Sequence, residues 1–367
     1  MMIDRRLFIH FDWALVGIAL SLATIGILNL YSVTASGDLG LGTPFYLRQL
    51  MWLLIGMGAM MVVAFIDYHS YADLAYMAYG VALVLLIAVL GVGNITSGAQ
   101  RWVRVGSISL QPSEFVKICL ILALAKFFHR SPGREGYSLR NLPIPFTLLL
   151  LPVGLILKQP DLGTAIILLL VFCSILVFVR VRWSSLITLG LGGAALVPIL
   201  WRFLKDYQKR RIVTFFNPDL DPLGAGYHLI QSKIAVGSGG IIGKGFTQGT
   251  QCKLGFLPEQ QTDFIFSALG EEWGLLGSLV VVGLYAALII WGLRISVEAK
   301  DRFGAILSFG VVAMLFWHSF INMGMVLGIM PVVGIPLPLL SYGGSFMLST
   351  LIGVGLLLNV SMRRYLF

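Results

Sequence analysis

Trp13-Ala-Leu-Val-Gly-Ile-Ala-Leu-Ser-Leu-Ala-Thr-Ile-Gly-Ile-Leu-Asn-Leu-Tyr-Ser-Val33 runs for 21 residues without a charged side chain. That length decides which solvent the chain folds in. About twenty residues at helical rise cross the roughly 30 Å hydrocarbon core of a bilayer. The run follows Asp4, Arg5 and Arg6, as a secretory leader would. It is too long for a leader's apolar region and no small-residue cleavage site follows, so a retained first span is expected.

Working outward, similar runs recur at 48–66, 72–92, 113–129, 142–158, 161–179, 184–204, 273–294, 305–328 and 338–360. The fold class this predicts is an all-α integral membrane protein with about ten transmembrane helices. Residues 1–367 then form a single polytopic domain. Composition agrees: 57% of residues are hydrophobic, 12% are charged, and the mean hydropathy is +0.89. These values exclude a water-soluble fold. Cys119 and Cys173 lie inside apolar runs and only Cys252 lies in a polar one, so no disulfide framework or redox chemistry is expected. A net charge of +9 does not point to nucleic acid here, because in a membrane protein the side on which the charges lie matters more.

An even number of spans puts both termini on one side. Arg5, Arg6, Arg130, Arg134, Arg140, Arg180, Arg182, Arg294, Lys300, Arg302, Arg363 and Arg364 all fall on that side, which the positive-inside rule makes cytoplasmic. The opposite short loops carry chiefly Arg48, Arg101 and Arg104. Between the seventh and eighth spans lies a long extracytoplasmic loop, about 205–272, with Tyr227, Ile230 and Ile234 at helical spacing. It is expected to lie on the outer leaflet. The chain shows no internal repeat and no low-complexity tract.

Ionisable groups at membrane depth are costly, so each is a functional candidate with a partner to be found. Glu114 and Lys117 share one helical face at the outer end of the fourth span, placed to pair with each other or with a substrate. Lys158 and Asp161 flank Pro160 in a tight outer hairpin. In the long loop, Lys209, Arg210 and Arg211 form a basic run, and Asp219 and Asp221 form an Asp-x-Asp that fits either a metal–diphosphate site or a simple turn. The stretch Gly237-Ser-Gly-Gly-Ile-Ile-Gly243-Lys-Gly245 lacks a nucleotide-loop spacing, so no nucleotide cofactor is expected and close-approach backbone is the better reading. Asp263 stands alone before an apolar helix, as an N-cap or a reacting carboxylate. A helix beginning there would be longer than the bilayer needs, and its first turns would enter the loop or line a cavity. The Pro- and Gly-dense run from Asn322 to Ser345 requires non-helical backbone at membrane depth, buried in protein or lining a wet cavity.

Several of these stretches carry a resemblance. Ser97-Gly-Ala-Gln-Arg101-Trp102, Gln111-Pro-Ser-Glu114 with Lys117, Gln159-Pro-Asp161-Leu-Gly-Thr164, Leu257-Pro-Glu259, Thr262-Asp263-Phe-Ile-Phe266 and the Asn322–Ser345 run follow one another in order. Over nearly the whole chain the sequence resembles the shape, elongation, division and sporulation family of membrane glycosyltransferases. Asp221 to Gly240 looks more like the elongation members than the division members. Two departures are visible: Phe346 stands where the family signature usually has a small residue, and Gln260-Gln261 replaces a pair that often includes a basic residue or His.

The resemblance implies a glycosyltransferase in the bacterial plasma membrane, with its active site on the outer face. It would join disaccharide units of lipid II, an undecaprenyl-diphosphate-linked precursor, into glycan during elongation and rod-shape maintenance. Asp263 would be the catalytic residue. Arg101, Glu114, Lys117, Asp161, Arg210, Arg211, Lys233 and Ser341 would bind substrate. A divalent cation, Mg or Mn, held by Glu114 or Asp161 stays open, and no metal site is identified. A lone carboxylate suits single displacement with inversion. Implied partners are a class B penicillin-binding protein transpeptidase and other elongation-complex proteins, with no nucleic acid. Two other readings remain: a flippase for the lipid-linked precursor, and a non-catalytic scaffold for a cell-wall synthase.

Overall fold

A computed structural model describes residues 10–34, 44–92, 94–96, 99–105, 108–130, 136–203, 206–217, 221, 224–257 and 259–364. Asp219, Ser97, Gly98, Pro258 and the expected cytoplasmic residues Arg5, Arg6 and Arg134 lie outside the described residues. Within them the helices run in order: α1 (Trp13–Thr34), α2 (Phe45–Phe65), α3 (Tyr68–Val92), α4 (Pro112–Arg130), α5 (Pro143–Lys158), α6 (Leu162–Phe178), α7 (Trp183–Phe203), α8 (Asp206–Phe216), α9 (Ala225–Ser238), α10 (Thr250–Lys253), α11 (Ile265–Val297), α12 (Arg302–Val326) and α13 (Gly344–Arg363). Six of them, α1, α2, α3, α11, α12 and α13, are long and apolar enough to cross a membrane. α5, α6 and part of α7 are shorter and also apolar. Each of the ten expected spans falls on a helix.

The outer surface is the inverse of a water-soluble one. Leu54, Val62, Met77, Val84, Leu150, Leu191 and Leu279 all face outward, the kind of apolar exposure that suits a lipid environment. At the centre, α12 packs against α11, α6 and α4, and α13 packs along α2. Polar side chains tie the two ends. Away from Asp263, the Asp12 carboxylate accepts from Trp291 Nε1 at 2.9 Å and Ser361 Oγ at 2.8 Å, and Arg363 donates to Phe65 O at 3.0 Å.

The all-α expectation needs one correction. Between α3 and α4 the chain forms a small antiparallel sheet, β1 (Asn94–Thr96), β2 (Ala99–Val105) and β3 (Ile108–Leu110), in the order β1-β2-β3. Val103, Val105 and Ile108 are β-branched residues that alternate with polar ones, a strand signal hidden in a loop between two spans. The last helix also starts later than expected, at Gly344 rather than 338, because the prolines of the preceding run cannot donate helical bonds. The long loop is largely helical: α9 carries Tyr227, Ile230 and Ile234 at the expected spacing.

α11 is 33 residues long and is interrupted at Gly274, whose φ of 64° and ψ of −160° are not helical. The break leaves the amides of Leu275 and Leu276 without helical acceptors, and they donate to Gly240 O at 2.9 Å and Ile241 O at 3.1 Å. In the other direction, Lys244 N and Gly245 N donate to Glu271 O and Glu272 O, each at 3.0 Å. The Gly-rich stretch is thus a backbone-to-backbone clasp on the kink. A methyl group on Gly243 (φ 86°) would lie 2.2 Å from Glu272 O, so nothing larger than hydrogen fits. Ile265 to Glu272, ahead of the break, is buried in protein.

Candidate active site

Asp263 sits on the turn that leads into α11, at the end of the bundle where α12 ends and α13 begins. The main chain around it is held on every side. Asn322 Nδ2, on α12, donates to Asp263 O at 2.8 Å and to Ile335 O at 2.7 Å, joining this turn to the Pro/Gly run. Ser341 Oγ donates to Thr262 O at 2.5 Å and accepts from Leu337 N at 2.7 Å. Tyr342 N donates to Gln261 O at 2.8 Å. Gln49, buried on α2, grips Ser341 O at 3.0 Å and accepts from Gly343 N at 3.2 Å. Asn29 on α1 donates to Ile265 O at 2.9 Å. The Asp263 carboxylate takes no part in this tethering.

Gly334, with φ 74°, brings the Pro/Gly run against that carboxylate. A methyl group there would lie 3.3 Å from Asp263 Oδ2 and 3.9 Å from Arg211 Nη1, which places the Arg211 guanidinium of α8 beside Asp263. Arg210, its neighbour, is exposed. On the other flank, Arg101 of β2 donates from Nε to Gln159 O at 3.0 Å and from Nη2 to Pro160 O, with Nη1 3.9 Å from Asp161 Oδ1. Asp161 caps α6, accepting from Thr164 N at 3.2 Å and Thr164 Oγ1 at 2.9 Å, and also from Gln111 Nε2 at 3.3 Å. Gly163 lets this hairpin touch the Pro/Gly run, since a methyl group on it would stand 3.0 Å from Val333 O.

Burial pushes the Asp263 carboxyl up to about 6; the nearby Glu259 and Asp161 charges add to the rise, and Arg211 and Arg101 oppose it. A helix N-terminus would have lowered it, so burial wins over the dipole here. A base that must be ionised then loses activity as pH falls through its pKa. Single-turnover rates are expected to be half-maximal near pH 6 and to drop about tenfold per unit below pH 5. A flat profile between pH 5 and 7 would remove Asp263 as the titrating base.

The other expected substrate residues divide. Lys233, on α9, is exposed and lies over Gly328, where a methyl group would meet its Nζ at 2.6 Å. Ser341 is buried with its hydroxyl committed to two backbone groups, so it holds the turn and does not face a substrate. Glu114 and Lys117 are 4% and 2% exposed and pair with each other at 2.8 Å, the ion-pair alternative left open by their spacing. Lys117 Nζ also lies 2.9 Å from His318 Nε2 and 5.2 Å from the centroid of Phe346. The unusual Phe346 therefore gives this buried ammonium an aromatic face, worth about 2 kcal/mol when desolvated.

The carboxylates expected to hold a divalent cation do not fit that role. Glu114 is closed in its ion pair, Asp161 is occupied by the helix cap, Gln111 and Arg101, and Asp221 folds back over Gly224. Among the described residues no three His, Cys, Asp or Glu side chains are grouped to share a metal.

Sequence reasoning gave no role to Asn29, Gln49, His228 or Glu259. Asn29 and Gln49 were legible as lone amides inside apolar runs, costly unless bonded. His228 stacks on Phe264, with ring centroids 6.1 Å apart, and nothing local signals that.

A half-buried carboxylate between two guanidinium groups, set on broken helices at one end of an apolar bundle, defines a polytopic membrane enzyme. The chain belongs to the FtsW, RodA and SpoVE family: the family model, described as cell cycle protein, matches residues 12–366. It is 41% identical over 357 residues to the peptidoglycan glycosyltransferase MrdB of Escherichia coli K12, covering 97% of this chain and 95% of that one. It is 35% identical to the peptidoglycan glycosyltransferase RodA of Treponema pallidum, covering 96% and 98%. Among solved structures, one described as the structural coordination of polymerization and crosslinking by a peptidoglycan synthase complex superposes with a TM-score of 0.83 at 34% identity, covering 97% of this chain and 99% of that one. The rod shape determining protein RodA of Thermus thermophilus superposes at 0.72 with 30% identity, covering 97% and 98%.

Proposed function

We propose that this chain is a peptidoglycan glycosyltransferase that polymerises lipid II into glycan strands during cell elongation and rod-shape maintenance. The observation that carries the mechanism is the approach of the Asp263 carboxylate and the Arg211 guanidinium to the same side of Gly334, with burial raising that carboxyl. The names of its relatives support the reaction class.

In the mechanism, the 4-hydroxyl of one sugar attacks the anomeric carbon of another. The new glycosidic C–O bond forms as the bond to the lipid diphosphate breaks, and the hydroxyl proton passes to the Asp263 carboxylate. Arg211 and the Arg101–Asp161 unit meet the charge that develops on the departing diphosphate, with Lys233 and Arg210 reaching it from the loop. With no second carboxylate acting as nucleophile, the anomeric centre inverts. No step passes through a metal.

The chain works as one polytopic unit with ten crossings, both termini cytoplasmic and Asp263 at the outer face of the plasma membrane. The basic residues at the opposite end favour that orientation. Its partner is a class B penicillin-binding protein that crosslinks the new strand, within a larger elongation complex; the synthase complex that it superposes on supports this.

The test is to incubate the purified protein with lipid II, alone and with a class B penicillin-binding protein whose transpeptidase site is inactivated, and to resolve glycan on a gel. Polymer is expected. Lipid II crossing liposome leaflets without polymer would replace this reading with a flippase. In the same assay Arg211→Ala is expected to lower the rate about a hundredfold and Arg210→Ala severalfold at most, since of these two neighbours it is Arg211 that stands beside Asp263 while Arg210 is exposed. Equal losses would place the clamp elsewhere.

A further inference from the structure

At the end of the bundle opposite Asp263, the turn from α6 to α7 and the start of α12 line a half-open cavity of about 970 Å³. α6 places it about 25 Å from the Asp161 hairpin, since 17 residues separate its ends. Its lining includes Arg180, Arg182 and Arg302, and no carboxylate is found among the described lining residues. Asp301, next to Arg302 in sequence, is turned away: it accepts from Tyr68 OH and from Phe303 N at 3.1 Å.

The arginines are positioned by folded structure. Arg302 Nη2 donates to Tyr137 OH at 3.1 Å, and its guanidinium carbon lies 5.6 Å from the centroid of that ring. Tyr137 is 1% exposed, donates to Phe128 O at 3.1 Å, and pairs in a β-bridge with Val181. Arg182 N donates to Tyr137 O at 3.0 Å, which fixes the turn. Arg180 has φ 62°, a left-handed conformation that a glycine would adopt without strain. An arginine kept in a strained position is a place to look for a ligand.

The remaining lining separates two sources of anion. Phe178, held by stacking on Phe309 at 4.2 Å, and Ile306 form an apolar wall, and Trp183, 74% exposed, stands at the rim where α7 enters the lipid-facing surface. A free phosphate has no use for such a wall, whereas a lipid brings acyl chains to it. We propose that this cavity binds the phosphodiester headgroup of an anionic phospholipid from the adjacent leaflet, with Arg180, Arg182 and Arg302 on the phosphate and Trp183 against the upper acyl chain.

Native mass spectrometry of the full chain, loaded with phosphatidylglycerol or phosphatidylcholine, tests this. Retained phosphatidylglycerol is expected to fall roughly tenfold in Arg180→Gln/Arg182→Gln and about fivefold in Arg182→Gln alone. The single variant leaves the strained position untouched and serves if the double variant unfolds. Arg140→Gln, an exposed arginine at the same end, is expected to change nothing. Phosphatidylcholine is expected to bind weakly in every case, and millimolar inorganic phosphate to leave the lipid in place. An equal loss in Arg140→Gln would mean a general basic surface, and full displacement by phosphate would mean a free-anion site. Either result, or no loss in the arginine variants, overturns the proposal.

Discussion

Asp263→Asn is expected to lower glycan polymerisation by at least about a hundredfold, the range over which a positioned general base contributes. The substitution keeps shape and removes only the ability to take a proton. Because the Asn322 and Ser341 bonds grip main-chain carbonyls of this turn, the amide leaves the tether untouched. It also removes a charge whose burial is unfavourable: a carboxyl raised in the folded state stabilises at low pH, and that stability is lost as pH rises through about 6. Above that pH the variant is expected to melt at the same temperature as the parent or higher. Near-parental polymerisation by a well-folded variant would transfer the role of base to another group. A large drop in melting temperature would mean instead that the carboxylate is structural.

Glu271→Ala is expected to release the outer loop. Glu271 is fully buried, and its carboxylate accepts from Lys244 Nζ at 2.6 Å, Thr250 N at 2.8 Å, Thr250 Oγ1 at 2.9 Å and Gln251 N at 3.1 Å. Removing the acceptor leaves the Thr250 and Gln251 donors unpaired, at a cost of about 3 kcal/mol or more in total, while Lys244, 28% exposed, can turn to water. Glu271→Gln keeps an acceptor oxygen, and a cost of about 1–3 kcal/mol follows from the lost charge-assisted bonds. Hydrogen exchange over residues 244–251 should speed up in the order parent, Gln, Ala, with thermal unfolding falling in the same order. Unchanged protection in Glu271→Ala would show that the Gly240–Gly245 clasp alone holds the loop.

The apolar runs were legible because bilayer thickness sets a length that a sequence displays directly. Asp263 was legible because a single carboxylate followed at once by apolar helix has few uses. The sheet at Asn94–Leu110 was harder to read: its β-branched alternation at Val103, Val105 and Ile108 is short, and the three strands gain their stability from each other and from the ends of α3 and α4, contacts that no local pattern displays. The fate of Glu114 and Lys117 also escaped sequence: two charges one helical turn apart can face a substrate or close on themselves. The third partner that closes them, His318, lies 201 positions away. Ser341, expected among the substrate-binding residues, spends its hydroxyl on the backbone of Thr262 and Leu337.

The interruption at Gly274 separates α11 into two parts with different attachments. The first is bonded to α1 through Asn29, the second lies along α12 with a lipid-facing side, and the Gly-rich clasp bonds both, through Glu271 and Glu272 on one side of the break and Leu275 and Leu276 on the other. A helix that meets a thicker or thinner bilayer adapts by tilting. The bonds on both sides of Gly274, with the Tyr285 hydroxyl donating to Pro338 O and Trp291 donating to Asp12, tie the two parts of α11 to each other and to the turn that carries Asp263, so a tilt of this helix would be felt at that turn and not absorbed at the joint.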